Sequence, residues 1–100
     1  MKWFGDNYIV KYFVEVEKLF KNLGISEEGK RDMVLEHANV GVQSPELRYN
    51  LYYFRSLAPT EGKCAHPDYT YAKLKELFMR WVEQRELDGS LRARDAHQKQ

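Results

Sequence analysis

Apolar side chains recur along this chain at the three-and-four spacing of an amphipathic helix, in four stretches separated by turn-forming residues. In the first, Ile9, Tyr12, Phe13, Val16, Leu19, Phe20 and Leu23 make one continuous stripe, with Lys11, Glu15, Lys18 and Asn22 opposite. Asp6 offers an N-cap, and Gly24 followed by Ile25 offers a left-handed stop with its hydrophobic contact. A second helix is predicted from Ser26 to about Ala38 or Asn39, with Glu27 and Glu28 in the turn where the helix dipole favours acids. Its apolar set, Met33, Val34, Leu35 and Ala38, is broad, and Gly29 weakens it. The stretch from Asn39 to Gln43 reads as a turn.

The third stretch is the most informative. Ser44 at the N-cap and Pro45 in the first turn open a helix, and Leu47, Leu51, Phe54 and Ala58 follow the spacing of a buried stripe. At about 100° per residue, Tyr49, Tyr52 and Tyr53 fall on the opposite face. Either this helix is buried on two sides, between the first and fourth helices, or it presents an aromatic patch to a partner. Arg48 and Arg55 lie seven positions apart along one edge of that patch, placed to pair with acidic groups on a partner.

A loop over 59–66 precedes the fourth helix, predicted from about Pro67 to Glu86. Tyr71, Leu74, Leu77, Phe78, Trp81 and Val82 line one of its faces, and Glu76, Arg80 and Glu83 the other. Asp88-Gly89 is the predicted stop, followed by a polar tail. Only Trp3-Phe4 and Val40-Gly41-Val42 offer a small β pair. The fold expected is an all-α, small single-domain bundle of about four helices spanning 1–89, with a polar, flexible tail over 90–100 and a core centred on the first and fourth helices.

Composition narrows the function classes. The chain has 100 residues, 43% hydrophobic and 14% aromatic, enough to build one core. Sixteen Lys+Arg against fifteen Asp+Glu leave a formal net charge of +1, which disfavours a dedicated nucleic-acid binder. Cys64 is the single cysteine, so no intrachain disulfide forms and a reducing cytoplasm fits. An acid precedes any apolar run at the start, unlike a signal peptide, and no stretch approaches the ~20 apolar residues of a membrane span.

Three local patterns compete with a binding role. His66-Pro67-Asp68 is the tripeptide of J-domain co-chaperones, but in that family a long basic helix runs almost directly into it. Here a Pro- and Gly-containing loop precedes it, so the tripeptide reads as a helix start. Cys64 and His66 form one C-x-H, short of the paired spacings of zinc sites, so no metal or other cofactor is expected. The second and third helices partly match a helix-turn-helix. Aligning its turn glycine to Gly41 fits Val40, Val42 and Leu47, but puts His37 where a small residue belongs and Glu36 at a buried position.

No pattern of nucleophile and base points to catalysis. The reading is therefore a non-enzymatic protein-binding module, with Tyr49, Tyr52, Tyr53, Arg48 and Arg55 as the contact set. Its concrete version is an inhibitor or accessory protein, of the phage or mobile-element type, that engages a host protein complex. The competing reading is a transcriptional regulator that binds nucleic acid through a degenerate helix-turn-helix.

Overall fold

The computed structural model describes residues 1–87, and among these four α-helices follow a short 3-10 turn at Asp6–Tyr8. They are α1 (Ile9–Leu23), α2 (Glu27–Gly41), α3 (Pro45–Arg55) and α4 (Tyr71–Leu87). The architecture is the all-α bundle expected. The proposed stop at Asp88-Gly89 and the tail over 90–100 lie outside the described residues.

The caps explain most helix boundaries. Gly24 adopts φ 63°, and its N–H and that of Ile25 both donate to the Phe20 carbonyl, closing α1. Ser26 Oγ accepts from Gly29 N at the start of α2, and Ser44 Oγ accepts from Leu47 N at the start of α3. Leu47, Leu51 and Phe54 are buried as the stripe requires, but α3 ends at Arg55, so Ala58 lies beyond the helix.

Three further boundaries differ from expectation. Asp6 does not cap α1, because the 3-10 turn intervenes; its carboxylate accepts instead from Trp3 Nε1 (3.0 Å), Gln43 N (3.0 Å) and Ser44 N (2.7 Å). The amino-terminal segment is thereby fastened to the α2–α3 connection. The second departure is that α2 runs through Gly41, so Asn39 to Gly41 is helix rather than turn. Third, α4 begins at Tyr71 rather than Pro67, with Thr70 Oγ1 accepting from Lys73 N. Leu23, placed in the α1 stripe from sequence, is 61% exposed, although Phe20 in the same turn is buried.

Trp3 and Gly41 meet, but not as strands. Trp3 packs on the last turn of α2 so closely that a Cβ at position 41 would lie 2.3 Å from Trp3 Cβ. The indole packs at a tilt against Tyr12 and Phe78, at centroid distances of 4.7 and 5.2 Å. Among the described residues the one β-type pairing is the isolated bridge between Thr60 and Lys63 in the α3–α4 connection.

The core is a single cluster that draws on every helix, and α4 packs against the other three. Phe13 and Phe78 meet at 5.5 Å in its centre. Because α4, not α3, is the central helix, α3 is left with one face open. No described helix is long and apolar enough to cross a membrane.

Candidate functional site

The outward face of α3 carries Tyr49, Tyr52 and Tyr53, which are 73%, 72% and 63% exposed. The two-sided burial considered from the sequence does not occur. Leu47, Leu51 and Phe54 hold the inner face against the core, and the helical period turns the tyrosines away from it. Tyr49 and Tyr53 stand one turn apart, and Tyr52 lies beside them, so the three rings form a ridge.

Two depressions flank the ridge. Between α3 and α4 runs a groove of about 560 Å³, with Tyr49 and Tyr53 on one wall and Leu57, Leu77 and Trp81 among its apolar lining. Its rim is charged and internally paired. Glu46 accepts from Trp81 Nε1 at 3.1 Å and lies 3.9 Å from Arg85, while Glu76 pairs with Arg80 and Lys73. The groove thus joins an apolar floor to a polar edge, as in protein recognition surfaces. Sequence reasoning missed it, because it depends on how α3 and α4 cross.

On the other side, between α2 and α3, lies a smaller cleft of about 200 Å³ lined by Ala38, Asn39, Arg48, Leu51, Tyr52 and Arg55. Arg48 donates to the Val42 carbonyl at 3.0 Å and Arg55 to Asn39 Oδ1 at 2.8 Å. The structure therefore places both predicted arginines beside Tyr52, but leaning towards α2, away from Tyr49 and Tyr53. Each still has guanidinium donors to spare, since each makes one hydrogen bond among the described residues.

The remaining sequence candidates are placed as follows. Cys64 and His66 are exposed in the α3–α4 connection. His66-Pro67-Asp68 folds into a turn in which His66 Nδ1 accepts from Asp68 N and the His66 carbonyl accepts from Tyr69 N. Among the described residues no three His, Cys, Asp or Glu side chains gather at a metal-binding spacing. Gly41, the turn glycine of the helix-turn-helix alignment, has no positive φ and is the glycine on which Trp3 packs. Glu36, aligned to a buried position, is exposed.

Two part-buried polar clusters tie the helices together. The Tyr12 hydroxyl lies 2.6 Å from His37 Nδ1. Burial pushes the Tyr12 phenol up, so it keeps its proton, and burial also pulls the His37 imidazole below its ordinary value. On α1, Glu17 accepts from the Tyr71 hydroxyl and from Lys75 Nζ, both at 2.7 Å. Burial opposes ionisation of Glu17, but those two hydrogen bonds with the Lys75 and Lys30 charges outweigh it and hold the carboxyl low. Both clusters lie away from the groove and join α1 to α2 and to α4.

No protein-family model, curated protein or solved structure matches the chain.

Proposed function

We propose that this protein is a non-enzymatic binding module that engages another protein through the tyrosine ridge of α3. The observation that carries the reading is the exposure of Tyr49, Tyr52 and Tyr53 on a helix whose opposite face already completes the core. Three large aromatic side chains on one exposed surface are expensive to hold in water, and tyrosine is a residue type enriched at binding hot spots. The groove beside Tyr49 and Tyr53 supplies a concave apolar floor for a partner's anchoring side chains. The concrete role in this proposal is an inhibitor or accessory protein of the phage or mobile-element type, acting on a host complex in the cytoplasm.

The test is affinity capture of the full chain from cells, with and without nuclease, at low and moderate salt. One stoichiometric protein partner, retained after nuclease and at moderate salt, is the expected result. An aromatic interface loses little to screening, whereas phosphate-driven binding weakens steeply. Recovery of partners only without nuclease would replace this reading with the nucleic-acid one.

A further inference from the structure

The cleft between α2 and α3 has a chemistry of its own. The described residues include five arginines, and Arg31, Arg80 and Arg85 each lie within ion-pair distance of a carboxylate, Asp32, Glu76 and Glu46 respectively. Arg48 and Arg55 have none among the described residues, and both bond to neutral oxygens at the end of α2 instead, the Val42 carbonyl just past it and Asn39 Oδ1. Their Cα atoms are about 10.5 Å apart along α3, yet their anchors are only three residues apart in sequence, Asn39 in the last turn of α2 and Val42 just past its end. Both arginines line the same cleft.

The other polar groups in the cleft add donors. Arg55 donates to Asn39 Oδ1, which fixes the amide and leaves its NH2 unoccupied. The Tyr52 hydroxyl has no hydrogen-bond partner among the described residues and lines the same cleft. Ala38 and Leu51 form an apolar base, and among the described residues no carboxylate lines the depression. Two cations, an amide NH2 and a phenol around one concavity match a group with several negatively charged oxygens.

We infer that the Arg48–Tyr52–Arg55 cleft is an oxyanion-binding site, taking a phosphoryl or carboxylate group. Arg48 and Arg55 supply charge and forked donors, Tyr52 supplies a neutral donor between them, and α2 pre-orders both guanidinium groups. The site faces the opposite side of α3 from the groove, and its test needs no partner, so it can fail or stand independently of the protein-binding proposal.

The test is a titration of the full chain with inorganic phosphate, and separately with acetate. Arginine Nε–H and backbone signals are followed by nuclear magnetic resonance, with chloride at matched ionic strength as control. The inference expects saturable shifts at Arg48 and Arg55 that chloride does not produce. Arg55→Lys keeps the charge but loses the fork, and should weaken the apparent affinity roughly tenfold. Tyr52→Phe alters only an exposed hydroxyl and should weaken it too, which keeps the test valid if Arg55→Lys disturbs folding. Saturation by phosphate alone assigns a phosphoryl group; saturation by acetate as well assigns a carboxylate. Shifts that merely follow ionic strength, or a Tyr52→Phe protein that binds like the parent, would overturn the inference.

Discussion

The Tyr12 hydroxyl on α1 and His37 Nδ1 on α2 share a 2.6 Å hydrogen bond, joining two helices across 25 residues of sequence. A neutral imidazole with its lone pair on Nδ1 accepts this bond from the phenol, whereas the imidazolium donates from Nδ1 to the phenol oxygen. Burial disfavours the His37 cation and the amino-terminal charge adds to this, while Glu36 opposes it. In the unfolded chain His37 takes up a proton near its ordinary value of 6.5; in the folded chain it does so only at lower pH. Its contribution to stability is therefore full above about pH 6.5 and is lost as pH falls through the depressed folded value. Glu17 acts in the same direction at more acidic pH, since its carboxyl is held low in the fold. Urea unfolding of the parent should show stability declining from about pH 6.5 downward. A His37→Gln variant should lack the upper part of that decline, and an identical profile in both proteins would refute the assignment.

Gly41 is kept by Trp3 rather than by a turn. Its backbone is helical, and the space where a Cβ would stand is taken by the Trp3 Cβ at 2.3 Å. Gly41→Ala should destabilise by about 1–3 kcal/mol through overpacking, despite the gain in helix propensity that alanine normally brings. Stability at or above the parent's would show that Trp3 does not hold this position.

Phe13 and Trp81 are both buried, Phe13 against Phe78 and Trp81 with its indole N–H on Glu46. Phe13→Ala or Trp81→Ala should each cost about 3–5 kcal/mol, a large share of the stability of a domain this size. Melting temperatures within about two degrees of the parent for both would mean that the core has been misassigned.

Cys64 and His66 sit exposed in the connection before α4. A Cys64→Ser, His66→Ala protein should melt with the parent, with or without chelator. Stoichiometric zinc in the purified chain and a melt that collapses on chelation would contradict this.

Local signals made α1, Ser26, Ser44 and the inner stripe of α3 legible from sequence, because each is decided within a few residues. The start of α4 was misread because two signals compete there. Pro67-Asp68 resembles a first turn, but it is held in a turn by His66, and the deciding features are the Thr70 cap and the stripe that begins at Tyr71. Asp6 has the residue type of a cap and acts as one on the wrong segment for a local reading, reaching Gln43 and Ser44. The exposure of the tyrosine ridge, the groove beside it and the turning of Arg48 and Arg55 towards α2 follow from α4 occupying the centre of the bundle. That choice is made by packing between helices distant in sequence, which no periodicity within one helix encodes.

The central claim is that Tyr49 and Tyr53 serve binding and contribute little to folding. Both are exposed on α3, and both line the groove shared with α4. Truncation of an exposed side chain typically changes stability by about 0.5 kcal/mol, whereas loss of a hot-spot tyrosine costs about 2 kcal/mol or more of binding. The most direct measurement is a paired melt and affinity capture of the Tyr49→Ala, Tyr53→Ala protein. The account predicts a melting temperature near the parent's and loss of the captured partner. A variant that unfolds, or one that folds and retains its partner undiminished, would contradict it.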